Sequence, residues 1–213
     1  MAKYNKEYYE PLEQMMAVRH QYMSKILRDH TDQDIYNFFQ NKQVLDLGCG
    51  TGEFLNNYFE MGAQCTGIDI EKNFKLKNKK NFNLYNLDAN TFLKNCKKKF
   101  DIIFLFEFLE HLEEGDKHKL FESLIKILNK NALIFVSTLN KNLLSKYLAI
   151  DIAENILKLL PKKTHEYDLF LSPTQLQTLS QKYKLSLLNV EGLQYNPIIT
   201  VSYTHLRAHE TST

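Results

Sequence analysis

Val44-Leu45-Asp46-Leu47-Gly48-Cys49-Gly50-Thr51-Gly52 is the stretch that decides the fold of this chain. A short apolar run carries an acid, Asp46, and then three glycines stand at alternate positions. Phe54, Leu55, Tyr58 and Phe59 follow at helical spacing, so the pattern reads as a buried strand entering a helix through a tight turn. Glycines in such a turn let the backbone approach a ligand closely, and the helix N-terminus offers unpaired N–H groups. The spacing is Gly-x-Gly-x-Gly, not the Gly-x-Gly-x-x-Gly that suits nicotinamide and flavin dinucleotides.

Outward from this turn, apolar strand-like runs alternate with helical periodicity. Strands are expected at Gln43–Leu47, Gln64–Ile68, Phe82–Leu87, Asp101–Phe106 and Ala132–Thr138. Helices are expected between them at Glu53–Met61, Glu71–Asn78, Asn90–Asn95 and Asp116–Asn129, after helices at Pro11–Leu27 and Asp34–Gln40. That rhythm implies parallel pairing through right-handed crossovers, a doubly wound α/β sheet with helices on both faces. Beyond Thr138 the chain turns apolar and basic from Leu143 to Leu160. It then reads as a helix at Pro173–Tyr183 and a strand at Lys184–Val190.

A length of 213 residues suits one domain with a full core. We expect residues 1–200 to form it, with residues 1–42 as a helical cap. The net charge of +2 is too small to imply nucleic acid as a partner, and the lysine clusters at Lys72–Lys80 and Lys97–Lys99 read as solvated loops. Cys49, Cys65 and Cys96 are odd in number and lack metal-ligand spacing, so reduced thiols in a cytoplasmic setting are expected. No signal peptide and no apolar run of membrane-spanning length is seen. Val201–Thr213 breaks the composition of the rest: it has no Lys, Asn, Ile or Phe, yet holds one of three Arg and two of seven His. Its wording matches a translated sequencing adapter, and we expect it to be a non-native tail.

Three acids fall at successive strand ends: Asp46, Asp69 in Gly67-Ile68-Asp69-Ile70, and Asp88 in Leu87-Asp88-Ala89. Open α/β sheets bind ligands in the crevice at those ends, where a carboxylate about twenty residues past the glycine turn accepts ribose hydroxyls. A single acid there would serve as a helix cap. Three in register with a glycine turn point to an adenosine-bearing cofactor, and an acidic lining suits a sulfonium cation better than a pyrophosphate. The glycine stretch resembles motif I of the class I S-adenosylmethionine-dependent methyltransferases, whose fold is Rossmann-like. The resemblance implies that Asp46, Gly48, Gly50, Gly52, Asp69 and Phe106 bind this cofactor, and that Asp88 accepts from the adenine amino group.

Further stretches narrow the family. They are Phe106-Glu107-Phe108-Leu109-Glu110-His111, Ser137-Thr138-Leu139-Asn140, Leu160-Pro161-Lys162-Lys163-Thr164-His165 and Tyr195-Asn196-Pro197. In this order they resemble the bacterial ubiquinone-biosynthesis O-methyltransferases, the UbiG family, from Tyr4 to Ile198. The resemblance implies methyl transfer from S-adenosylmethionine to a phenolic oxygen of a polyprenylated phenol or demethylubiquinol. Family members have a magnesium site at the positions of Glu107, Glu110 and His111. If that segment is helical, the three share one face and either hold the cation or, through His111, take the phenolic proton. The competing reading is a structural helix start.

Arg19 matches a family arginine that contacts the cofactor, although Glu13, Met16 and Ala17 depart from the surrounding pattern. A surface arginine is the alternative. Leu143–Leu160, flanked by lysines, reads either as a core helix or as an interfacial helix that places the protein peripherally on the inner face of the cell membrane, beside other enzymes of the pathway. Family members extend further at both ends. A final strand is therefore expected to be missing, with Val201–Thr213 in its place. Other class I methyltransferases, acting on a small molecule or tRNA, and a non-catalytic cofactor-binding fragment are the alternatives.

Overall fold

The structure is a computed structural model that describes residues 6–138 and 171–191. Chain contacts divide it into two compact units, Met1–Ser172 and Pro173–Thr213. The apolar segment Leu143–Leu160, the Pro161–His165 and Tyr195–Pro197 stretches and the tail Val201–Thr213 lie outside the described residues.

The first unit opens with helix α1 (Lys6–Thr31) and a short α2 (Ile35–Phe39). Asp34 caps α2 by accepting from the Asn37 amide at 3.0 Å, as side-chain caps do for the free amides of a first turn. The glycine-turn strand β1 (Gln43–Leu47) comes next, and α3 (Glu53–Glu60) leads to β2 (Gln64–Asp69) and β3 (Phe82–Asn86). Then α4 (Ala89–Asn95), β4 (Phe100–Phe106), a 3-10 turn at Leu109–His111, α5 (Glu114–Ile127) and β5 (Leu128–Ser137) follow.

Among the described residues the four strand pairings are all parallel, in the order β3-β2-β1-β4-β5. The order reverses between β1 and β4, so the crevice of the sheet opens at the C-terminal end of β1, where the glycine turn sits. β1 and β4 are buried along nearly their whole length, as strands covered on both faces must be. The expected doubly wound sheet is present, and each of its five strands overlaps the apolar run read as that strand.

The core beneath α1, α2 and α3 is aromatic. Tyr58 of α3 lies 4.4 Å from Phe39 and 5.0 Å from Phe104, centroid to centroid, and Phe54 lies 5.1 Å from Phe106. Met23 and Leu27 of α1 pack into the same cluster. These contacts tie the N-terminal helices to the sheet, and they bring α1 to the crevice.

Two expected elements do not form. Glu71–Asn78 is an irregular loop, because its backbone is claimed elsewhere. The Lys75 amide donates to Thr51 O at 3.1 Å, and the Asn78 side chain brackets Leu84 at its N–H (2.7 Å) and its C=O (3.2 Å). Lys184–Val190 is not a strand: α6 (Pro173–Lys182) ends with Lys184 at φ +57°, Leu185 donates back to Ser180 O, and no ladder partner is present among the described residues. One boundary also moves. β5 starts at Leu128, directly from α5, because the Asp101 carboxylate accepts from Asn129 Nδ2 and the Gln43 amide, both at 2.8 Å. No helix among the described residues is long and apolar enough to cross a membrane.

Candidate active site

The turn after β1 is built on positive φ angles, +80° at Gly48, +53° at Gly50 and +81° at Gly52, which cost side-chain-bearing residues energy. The Gly48 and Cys49 amides both donate to Ile68 O, at 2.8 and 3.1 Å, locking the turn to the end of β2. A Cβ at Gly48 would stand 2.9 Å from the Phe108 ring, whereas one at Gly50 would meet nothing within 4 Å. Gly48 is therefore fixed by packing on the protein side. Gly50 borders open space, which a close-lying ligand can use. Gly52 ends the turn at the N-terminus of α3.

Asp69 at the end of β2 faces this turn. Its Oδ2 accepts from the Gly50 amide at 2.7 Å and its Oδ1 from the Glu71 amide at 2.8 Å. Two backbone donors thus orient the carboxylate, and each oxygen keeps a lone pair for further donors. This is the arrangement needed to accept a pair of vicinal hydroxyls. The residues fit the adenosine end of S-adenosylmethionine: glycine cradle, open space at Gly50 and an oriented acid.

Asp46 sits two residues before Gly48, in the central strand between Gly67 and Phe104, and is 3% exposed. Burial pushes its carboxyl up to about 7; Arg19 opposes the rise, and Asp69 and Glu107 add to it. It is a buried acid in the central strand, two residues before the glycine turn. Burial likewise raises the Cys49 and Cys65 thiols, which makes them packing groups and not nucleophiles.

Arg19 enters from α1. Its guanidinium lies 4.8 Å from the centroid of the Phe106 ring and is ion-paired with Glu107 Oε2. Glu107 Oε1 accepts from Ser137 Oγ at 2.7 Å, and the Glu107 amide donates to Ser137 O at 3.0 Å. The arginine is no surface residue. Ser137 is a site member that motif reading quoted without giving it a role.

The other expected positions fall differently. Asp88 is exposed and caps α4, with the Thr91 amide (2.9 Å) and hydroxyl (3.1 Å) both on its Oδ1; this is the capping role set against cofactor binding. Glu107, Glu110 and His111 do not share one face. Glu107 has φ +45° and precedes the 3-10 turn, Glu110 is buried at 1% exposure, and His111 is exposed. The helical spacing that would unite them presupposes an α-helix that this segment does not form. Among the described residues no three His, Cys, Asp or Glu side chains converge on a metal site. The trio does not fit a divalent cation, whose oxygen ligands must turn toward one point.

Comparison with known proteins agrees with this geometry. A family model described as a methyltransferase domain matches residues 18–190. The chain is 34% identical over 195 residues to the ubiquinone biosynthesis O-methyltransferase of Pelagibacter ubique, covering 88% of this chain and 80% of that protein. It is 31% identical to the protein of the same name from Colwellia psychrerythraea, covering 89% and 80%. Among solved structures, magnesium protoporphyrin IX methyltransferase of Synechocystis with bound S-adenosylhomocysteine superposes with a TM-score of 0.60 at 14% identity, covering 93% of this chain and 85% of that one. That likeness supports the fold. With the glycine cradle and Asp69 in place, the chain belongs to the methyltransferase-domain family and, within it, to the ubiquinone biosynthesis O-methyltransferases.

Proposed function

We propose that this chain transfers a methyl group from S-adenosylmethionine to a phenolic oxygen on the ring of a polyprenylated phenol or demethylubiquinol. The carrying observation is its 34% identity to a ubiquinone biosynthesis O-methyltransferase along 88% of the chain, with the cofactor cradle present. When bound, the cofactor supplies a methyl carbon already activated on sulfur, so the protein's work is alignment, desolvation and removal of a proton. Gly50 leaves room for close approach, Asp69 accepts the ribose hydroxyls, and Arg19 supplies positive charge from α1. A free phenol ionises only near pH ~10, so a base is needed. His111 takes that proton; its imidazole chemistry and its exposed position shortly after the end of β4 support this reading.

Because the acceptor carries a prenyl tail, the chain works at a membrane surface. Support comes from the sequence of Leu143–Leu160, apolar and flanked by Lys141, Lys146, Lys158, Lys162 and Lys163. One experiment tests both parts. The chain is given S-adenosylmethionine labelled in its methyl group, with a prenylated demethylubiquinol in anionic vesicles or a soluble short-chain analogue, and the vesicles are then floated. Label should appear in both acceptors and the protein should float. Transfer without flotation removes the membrane part; transfer to neither acceptor overturns the whole reading.

A further inference from the structure

Glu107 is a non-glycine residue held at φ +45°, in the left-handed region that is costly outside glycine and gathers at functional sites. The backbone turn brings its carboxylate back onto two neighbours. Ser137 Oγ donates to Oε1 at 2.7 Å, and Arg19 pairs with Oε2. Arg19 is itself largely enclosed, its side chain 13% exposed and its guanidinium on the Phe106 ring. Its Nε is buried without a hydrogen-bond partner among the described residues. A buried N–H stripped of water and lacking an acceptor points to an acceptor supplied from outside. A metal ligand must aim its lone pairs at the cation, and a base must aim one at the substrate's proton. The Glu107 carboxylate is instead oriented by the protein itself, one oxygen turned to Ser137 and the other to Arg19.

We propose that Glu107 is a positioning residue for the methyl donor. Backed by Ser137, it holds the Arg19 guanidinium against Phe106, so that the Nε edge meets the donor's carboxylate, and it neither ligates a metal nor accepts the phenolic proton. This rests on the methyl-donor reading above. Without Glu107, the guanidinium loses its ion-pair partner, and the buried Asp46 remains as an acid that feels its charge. The salt bridge therefore sets which acid the arginine serves as well as its orientation.

The test measures binding of S-adenosylhomocysteine to the full chain by calorimetry, alongside turnover with varied donor. Glu107→Gln and Ser137→Ala should each weaken S-adenosylhomocysteine, by roughly tenfold for the first and less for the second. The loss should fall on KM for the donor, with kcat at saturation changed by less than about twofold. Arg19→Ala should remove the effect of Glu107→Gln in the double variant, because the two act as one unit. Methylthioadenosine, which lacks the amino-acid portion, should bind wild type and variants alike, a selectivity that general misfolding would not produce. Glu107→Gly, which relieves the backbone, guards against failure to fold and should still lose affinity.

A large fall in kcat with S-adenosylhomocysteine affinity intact would make Glu107 a base and overturn the proposal. So would turnover that EDTA abolishes and magnesium restores in wild type but not in Glu107→Gln. Unchanged affinity in every Glu107 variant overturns it too. A wild-type chain that binds S-adenosylhomocysteine but methylates no phenol fails the functional reading while the affinities still decide this one. A wild-type chain that binds none overturns both.

Discussion

Asp69→Ala lowers the affinity of the chain for S-adenosylhomocysteine by about a hundredfold. Two contributions add. The first is direct: in the proposed function the carboxylate accepts the ribose hydroxyls, and hydrogen bonds to a charged group are each worth about 1.5–3 kcal/mol. The second is structural: Asp69 Oδ2 is the partner of the Gly50 amide at 2.7 Å, so its removal frees the middle of the glycine turn. A hundredfold corresponds to about 2.7 kcal/mol, within reach of one lost charged contact plus some disorder in the turn. Asp69→Asn separates the two. It keeps an oxygen for Gly50 and loses charge and one acceptor position, so it should sit between wild type and Asp69→Ala. Calorimetry on the three proteins decides. Equal affinities would remove Asp69 from the site.

Asp46→Asn changes the pH dependence of stability more than any other single substitution we expect. The folded carboxyl titrates at about 7 and the ordinary value is 3.8, so the folded state holds its proton more tightly than the unfolded chain. Below pH ~4 both states are protonated and the group is neutral to stability. As pH rises from there to about 7, the unfolded chain gives up its proton first, so stability falls; above 7 the full cost of a buried charge is present. A rise of about three units corresponds to on the order of 4 kcal/mol. Asparagine has no such charge. Urea unfolding of both proteins should therefore show the Asn variant gaining on wild type steadily between pH 4 and pH 7, then holding its lead. A difference that stays constant with pH would mean that Asp46 is not a buried, titrating acid.

The glycine turn was legible because several local signals agree there. The apolar run of β1, the alternating glycines and the periodicity of α3 each point to the same strand-turn-helix, and β1 spans Gln43–Leu47 as read. Asp69 followed from its place at the next strand end. What failed depended on contacts between distant residues. The lysine-rich run after Ile70 carries no apolar face to stabilise a helix, and Thr51, well before it, and Leu84, a few residues beyond it, bind its backbone and side chains instead. The expected union of Glu107, Glu110 and His111 assumed α-helical spacing, and the φ of +45° at Glu107 leaves no mark in the residue order. Its partner Arg19 lies 88 residues away. The hints to Arg19 itself were its match to a family arginine and the scarcity of arginine in this chain, three in all.

The glycine turn is the proposed seat of the cofactor, and a separate cleft lies elsewhere in the described residues. That cleft, about 430 Å³ between α4 and α5, is lined by Asn90, Leu93, Lys94, Asp116, Lys119 and Ser123, and shares no residue with the site. Backbone amide resonances followed during a titration with S-adenosylhomocysteine distinguish the two locations in one measurement. The amides of Gly48, Gly50, Gly52 and Glu71 should shift together and saturate with a single affinity, while Lys94, Lys119 and Ser123 stay in place. Shifts confined to the α4–α5 cleft, with the glycine-turn amides unmoved at saturation, would contradict this placement.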